Sequence, residues 1–95
     1  MTTQQTGQPN PHAVRFGLLT DLCFALGERG CTSMLIHPSL GEAVLWVPYR
    51  RRPRERLGVG AVEAGDRWLY TWARQWSVAG DVQDAAARIA AMVTA

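Results

Sequence analysis

The side chains of this sequence best suited to binding a soft metal are two cysteines and two histidines: Cys23, Cys31, His37 and His12. Structural zinc sites draw thiolate and imidazole ligands from short spacings, usually about two to four residues between paired cysteines. Here Cys31 follows Cys23 by eight residues and His37 comes a further six along, which matches no zinc pattern. We expect no bound metal and two reduced, structural thiols.

Residue types that carry catalysis are equally sparse. The chain has no lysine, which excludes a Schiff base and the phosphate-binding lysine of a P-loop. It has no Gly-x-Ser-x-Gly elbow, no His-Glu-x-x-His pair and no two acids spaced as general acid and base. The segment from Gly58 to Gly65 lacks the third glycine of a dinucleotide loop, and a strand rather than a helix should follow it. We therefore expect no enzymatic activity and no cofactor.

One short segment holds half of all the basic residues. It contains a single glutamate, Glu55, and the net charge of the whole chain is only +2, so the rest of the protein is mildly acidic. The segment is either a solvated loop whose charges protect a strand edge, or a contact site for phosphate or an acidic partner, whose oxygens match the guanidinium fork. The arginines concerned are Arg50, Arg51, Arg52, Arg54 and Arg56.

Three large aromatic residues alternate along one predicted strand. Successive side chains of a strand point to opposite faces, so Trp68, Tyr70 and Trp72 share one face, opposite Leu69 and Thr71. This aromatic row is either part of the core beneath the helices or an exposed platform for a partner, a ligand or stacked bases. If the row is exposed, the remaining tryptophans, Trp46 and Trp76, could fill the core instead.

Phe24 is the exception on an otherwise amphipathic first helix. It falls among Gly17, Thr20, Asp21 and Glu28, on the side assigned to solvent. A single exposed apolar residue needs no special explanation. The alternative is that Phe24 contacts a second copy of the chain across a symmetric interface.

The elements that must position these residues form a single domain of residues 10–95, after a polar tail, 1–9, that we expect to be disordered. Asn10-Pro11 predicts the start of a helix and Gly30 its end, and Asp81 caps a second, C-terminal helix. Gly58 and Gly60 predict a bulge or a close backbone approach. The strands are predicted at 33–37, 43–49, 57–64, 67–73 and 76–78, with turns at 38–41, 65–66 and 74–75.

No segment between these strands is long enough for a crossover helix, so the sheet should be an antiparallel meander of four or five strands. Both helices have one apolar side to bury. The predicted fold is therefore α+β, in two layers, with both helices on one face of the sheet.

The stretch Asp66-Arg-Trp-Leu-Tyr-Thr-Trp72, followed by Asp81 and an alanine-rich helix, resembles small actinomycete α+β proteins of unknown function. The resemblance covers residues 66–93 and implies no particular activity.

These observations favour a non-catalytic protein-interaction or regulatory accessory module that forms homodimers or docks on another protein. Its expected surface is Phe24 with Trp68, Tyr70 and Trp72. The alternative is a nucleic-acid-binding domain that uses the arginine segment and the strand aromatics, and a third possibility is a pocket for a small ligand. The polar N-terminal residues lack the features of a signal peptide, and no apolar run reaches the ~20 residues of a membrane span, so we expect a cytoplasmic protein.

Overall fold

The computed structural model of the protein describes residues 10–39 and 41–95. The predicted disordered tail, 1–9, and Leu40 of the first predicted turn lie outside the described residues.

Helix α1 spans Pro11–Glu28 and begins where the sequence predicts. The side chain of Asn10 accepts a hydrogen bond from the backbone N–H of His12 (2.8 Å), and proline occupies the first helical position, where an N–H has no intrahelical partner. After the helix, Gly30 has a φ of 78°, the left-handed conformation in which helices commonly end.

Five antiparallel strands follow, and each pairs with the next along the chain, so the sheet is a meander. The central strand is also the longest: it pairs with the second strand through its first half and with the fourth through its second half. The strands are β1 (Met34–Ile36), β2 (Val44–Pro48), β3 (Arg56–Ala64), β4 (Arg67–Trp72) and β5 (Gln75–Val78).

Helix α2 (Val82–Val93) closes the chain and starts at the predicted cap, where the Asp81 carboxylate accepts a hydrogen bond from the N–H of Asp84 (3.1 Å). The two helices contact each other and pack on the same face of the sheet, α1 against β1, β2 and β3 and α2 against β5. The predicted fold class, a two-layer α+β protein with both helices on one face, is confirmed.

The core lies between the helices and this covered face. The fully buried side chains of the largest volume come from both layers and interdigitate there. They are Leu19, Leu22, Leu26, Leu45, Val47, Val59, Tyr70 and Ile89.

A buried arginine fixes the first turns of α1 to the sheet. Arg15 is only 8% exposed, although the sequence shows it merely as an interruption of an apolar run. Its Nε donates to the carbonyl oxygen of Ala61 (2.9 Å), its guanidinium lies 5.4 Å from the ring centre of Trp68, and it forms an ion pair with Glu42 (3.5 Å). Burial of a charge is tolerated here because each of these contacts compensates for lost water.

The turn between β4 and β5 differs from the prediction. Gln75 pairs with Trp72 at the ends of the two strands, so the turn residues are Ala73 and Arg74 rather than Arg74 and Gln75. Both turn residues have positive φ, 44° and 64°. A two-residue hairpin favours this backbone because it matches the twist of the strands, but residues with a Cβ are strained in it.

We predict that the double substitution Ala73→Asn and Arg74→Gly raises the free energy of unfolding by about 1 kcal/mol, because Asn and Gly adopt positive φ at little cost. Urea unfolding followed by tryptophan fluorescence measures the change. Ala91→Asn, at an exposed position of α2, is the control and should lower stability by about half a kcal/mol. A double variant no more stable than the parent chain would contradict the proposed strain.

Candidate protein-interaction surface

The aromatic row of β4 belongs to the core. Tyr70 is fully buried and Trp72 is 2% exposed, while Trp68 is half-buried against the same cluster. The prediction that these side chains form an exposed platform is therefore wrong for Tyr70 and Trp72. The physical reason is that both helices pack on the face to which the row points, and large aromatics contribute most when they are covered.

Tyr70 also ties the two layers together through its hydroxyl group. The hydroxyl donates a hydrogen bond to the backbone carbonyl oxygen of Leu18 in α1 (2.7 Å). Burial, with a smaller contribution from the nearby Asp21 carboxylate, raises the pKa of Tyr70 from its usual value near 10 to about 12. The phenol therefore remains a neutral donor at physiological pH.

Neither helix covers the opposite side of the sheet, which we call the open face. Every strand contributes at least one apolar side chain to it, and three of the large ones are exposed: Trp76 at 58%, Met34 at 55% and Val62 at 37%. The polar residues of the open face are Arg56, Arg67 and Thr71. Trp46 is half-buried on this face, so the prediction that Trp46 and Trp76 could fill the core is wrong. The other apolar members of the open face are Ile36, Val44, Leu69 and Val78.

A groove runs along the middle of the open face because β3 carries two glycines there. Gly58 lies opposite Trp46, whose ring lies so close that a Cβ on Gly58 would come within 3.1 Å of it. This is the close approach that the glycines predict. Next to it, Gly60 pairs with Thr71, which in turn pairs with Trp76 on β5. The groove has a volume of about 600 Å³.

The arginine segment connects β2 to β3 and is folded against the protein at several points. The N–H of Arg50 donates to the carbonyl oxygen of Val93 at the end of α2 (2.8 Å). Arg52 pairs with Glu55 (3.0 Å) and stacks on Tyr49, with 4.9 Å between guanidinium carbon and ring centre. Arg56 stacks in the same way on Trp46 (5.1 Å), so one edge of the open face is lined by an arginine and an indole in contact.

The two ends of the sheet carry opposite charge. In a meander, the β2–β3 and β4–β5 connections lie at one end, and the β1–β2 and β3–β4 connections lie at the other. The first end, which we call the arginine end, holds the five arginines of residues 50–56 and Arg74 against one glutamate. The second, which we call the acidic end, holds Glu42, Glu63 and Asp66 against Arg67.

The outer side of the edge strand β5 is occupied by Arg88 of α2. Its guanidinium donates to the carbonyl oxygen of Trp76 (3.1 Å) and to the side chain of Gln75 (3.2 Å), and it lies 5.0 Å from the ring centre of Trp72. Arg88 is held by Asp84 (3.4 Å), whose pKa is lowered mainly by the hydrogen bond from the Ser77 hydroxyl (2.8 Å). The free edge of β5 is thus partly blocked from pairing with a strand of another molecule.

Phe24 lies where the sequence places it, on the solvent side of α1, and is 75% exposed. It borders a shallow apolar hollow of about 540 Å³ between α1 and β1, lined also by Thr20, Cys23, Gly27 and Leu35. This second, smaller apolar surface is separate from the open face, because it belongs to the helix layer.

The cysteines and histidines lie apart from the open face. Cys31 is buried, and the Cys23 sulfur accepts a hydrogen bond from the Ser33 hydroxyl (3.0 Å). His37 packs against Phe16, with 5.4 Å between ring centres. Phe16 is 41% exposed, although the helical pattern predicts it on the buried arc. Within residues 10–39 and 41–95, no group of three His, Cys, Asp or Glu side chains comes together in a way that could hold a metal ion.

Comparison of the chain with protein-family models, with curated proteins and with solved structures found no match. The resemblance of residues 66–93 to small actinomycete proteins stays a prediction. In the part of the chain that the structure describes, no helix is both long and apolar enough to cross a membrane.

We predict that the protein loses stability in strong alkali because of Tyr70. Its pKa in the folded state lies above the unfolded value near 10, so this contribution is complete below pH 10 and is lost as the pH rises through about 12. The free energy of unfolding should fall by at most about 1.4 kcal/mol per pH unit from this group.

The measurement is urea unfolding between pH 8 and pH 12. Tyr70→Phe should lower stability by about 1 kcal/mol at pH 8, because the Leu18 carbonyl loses its donor, and should flatten the alkaline decline. Tyr49→Phe, at a half-buried tyrosine, is the control and should keep the decline. An unchanged decline in Tyr70→Phe would refute the assignment.

Proposed function

We propose that this chain is a non-catalytic protein-interaction module, of the kind that serves as a regulatory accessory, and that it docks through the open face. The observation that carries the proposal is an apolar sheet face, spanning five strands, that neither helix covers. Proteins seldom leave apolar surface of this extent in water unless it is a contact site.

The composition of the open face supports binding to protein. Trp76 lines the groove and Trp46 packs on Gly58 beside it, and tryptophan is one of the residue types that dominate binding energy at protein interfaces. Gly58 and Gly60 place no side chain in the groove, so it is already open to a side chain of the partner. Arg56 and Arg67 border the apolar centre at opposite ends of the face, as charged residues do in the rim of a typical interface.

The aromatic residues that we propose as binding anchors differ from those that the sequence predicts. Tyr70 and Trp72 are internal, so the aromatic anchors of the open face are Trp46 and Trp76. Trp68 is half-buried beneath Arg15 and contributes to holding α1. Phe24 keeps its place as an exposed residue of a second surface, on the helix layer.

The proposal is tested by site-specific photocrosslinking in the cells that normally produce the protein. The crosslinking amino acid p-benzoyl-phenylalanine replaces Trp76 on the open face or, as the control, the exposed Ala91 on α2. We expect protein adducts, identified by mass spectrometry, at position 76 and not at position 91. Adducts at neither position, in chains shown to be folded, would overturn the proposal.

Nucleic-acid binding is the second candidate, because the stacked pair Arg56 and Trp46 brings a phosphate-binding group beside a half-buried indole on the open face. Burial of Tyr70 and Trp72 removes two of the three strand aromatics that this hypothesis names, and the third, Trp68, is half-buried on the helix side with Arg15 over its ring. It would therefore depend on the arginine end and Trp46 alone.

If the second candidate is correct, single-stranded oligonucleotides should bind with an affinity that falls steeply as salt rises, since phosphate contacts release counterions. Fluorescence polarisation between 50 and 200 mM NaCl, roughly the range over which such effects are large, measures this. Arg51→Ala with Arg54→Ala should abolish binding, whereas Arg29→Ala, on the helix layer, should not. Binding absent even at the lowest salt would exclude this candidate.

A further inference from the structure

We propose that the partner on the open face is an acidic segment of another protein, in which a large apolar side chain enters the groove and neighbouring Asp or Glu residues pair with arginines around it. The inference rests on the proposed function, since it names the chemistry of the partner for the same surface. Three observations carry it: the sign of the charges on the open face, the apolar lining of the groove, and an arginine held in a strained turn beside the groove.

Every charged residue that the structure places on the open face is an arginine. Arg56 lies at the arginine end and Arg67 at the acidic end, both on the same side of the sheet as the two glycines of β3. Arg74, in the turn between β4 and β5, lines the groove. Among the described residues, none of these three arginines forms an ion pair with a carboxylate. Their charges are therefore available to a partner.

The acids of the neighbouring segments do not belong to the open face. Glu63 pairs with Trp68, so it lies on the side of the sheet that the helices cover. Glu42 forms an ion pair with the buried Arg15 (3.5 Å), and Asp66 belongs to the turn before β4. The open face itself is therefore basic, and a basic surface favours a partner of opposite charge.

The same charges argue against a second copy packed face to face. Since β3 is the central strand, the two copies of β3 would lie over each other in either direction. If like ends met, Arg56 of one copy would meet Arg56 of the other. If strand directions were opposed, Arg56 would come beside Arg67, which pairs with Ala64 at the far end of β3. Like charges across an interface suppress association, so the charges favour a different protein.

The groove suits one large apolar side chain of such a segment. Its lining includes Val44 and Leu69, and the exposed ring of Trp76 forms part of it. An acidic segment without an apolar anchor would gain only exposed ion pairs, which contribute little to affinity. The anchor therefore supplies most of the binding energy, and the arginines select the partner.

The arginine beside the groove occupies a position that strains its backbone. Arg74 has a φ of 64° in a two-residue turn that asparagine and glycine would form at little cost. Strained residues of this kind cluster at binding sites. Because Arg74 lines the groove together with Trp76, its guanidinium can pair with an acid next to the anchoring side chain. The strained turn therefore points to Arg74 as a residue that determines specificity.

A nucleic acid fits the same surface less well. Stacked bases need free aromatic faces, and Trp46 already packs on Gly58 and against Arg56. The groove is lined mainly by apolar residues, which suit leucine or an aromatic side chain better than the polar edge of a base. These observations favour protein as the acidic partner.

The first experiment selects ligands from random dodecapeptides displayed on phage, with the immobilised chain as bait. We expect enriched peptides to be acidic and to contain leucine or an aromatic residue next to Asp or Glu. Trp76→Asp should lose these peptides, because it removes the groove wall and adds a negative charge. Phe24→Asp, at an exposed aromatic on the helix layer, is the matched control and should retain them. Enrichment of neutral or basic peptides, or of none that requires Trp76, would overturn the inference.

The second experiment measures the contribution of Arg74 by fluorescence polarisation of the most enriched peptide, synthesised with fluorescein. Ala73→Asn with Arg74→Gly should bind about fivefold more weakly, although its turn is relaxed and the chain is more stable. Ala73→Asn alone keeps the arginine and is the matched control, which should bind as tightly as the parent chain. Undiminished binding by the double variant would refute the role of Arg74.

The other two arginines are tested with the same peptide. Arg56→Gln with Arg67→Gln should weaken binding about tenfold at low salt and by less at high salt, because exposed charges are screened. Arg29→Gln removes a charge from the helix layer and should change nothing. If the paired substitution has no greater effect than Arg29→Gln, the charges of the open face do not select the partner.

The outcomes separate the two proposals. If position 76 crosslinks in cells to a neutral or basic segment of a protein, the inference is overturned and the proposed function stands. Crosslinks from position 76 to the same chain, with a dimer mass in sedimentation equilibrium, would make a second copy the partner and would also overturn the inference. Displacement of the peptide by single-stranded DNA at physiological salt would assign the surface to nucleic acid and overturn both proposals.

Discussion

Both helices are needed to cover one face of the sheet, so no helix is left to cover the other face. The rest of the structure depends on this constraint. With 18 residues in α1 and 12 in α2, the helix layer shields the side of the sheet that carries Tyr70 and Trp72. The other side also carries apolar side chains on every strand, among them Trp46, Leu69 and Trp76. Fully burying a large apolar side chain contributes about 1.5–3 kcal/mol to stability. Covering the tryptophans of the open face would therefore release a substantial further free energy.

Polar contacts determine which face receives the helices. The Tyr70 hydroxyl needs an acceptor once it is buried, and the Leu18 carbonyl in α1 provides it. Arg15 likewise needs acceptors, and finds the Ala61 carbonyl and Glu42 while stacking on Trp68. If the helices packed on the opposite face, the bonds to the Leu18 and Ala61 carbonyls would not form. Two apolar faces are thus distinguished by a few directional bonds.

The order of the elements and the ends of α1 were predictable from the sequence because local rules set them: Asn10 and Pro11 at the start, Gly30 at the end, and short alternating strands between. Alternation along β4 correctly groups Trp68, Tyr70 and Trp72 but cannot say which group is covered, since that depends on contacts with α1 more than 50 positions away, such as the bond between Leu18 and Tyr70. The exposed tryptophans were missed for the same reason. The one local signal for Trp46 was the uninterrupted apolar run of β2, which is typical of a strand covered on both faces.

Arg88 has an effect that reaches beyond the single molecule. A sheet protein can polymerise into filaments when both of its edge strands pair with strands of other molecules, because each added subunit then exposes a new edge strand. On β5 the carbonyl oxygen of Trp76 is already taken by the Arg88 guanidinium, so this border is a poor template. Strand addition is therefore easier at the other border, β1, than at β5. One guanidinium group therefore limits fibre growth in a chain with this much exposed apolar sheet.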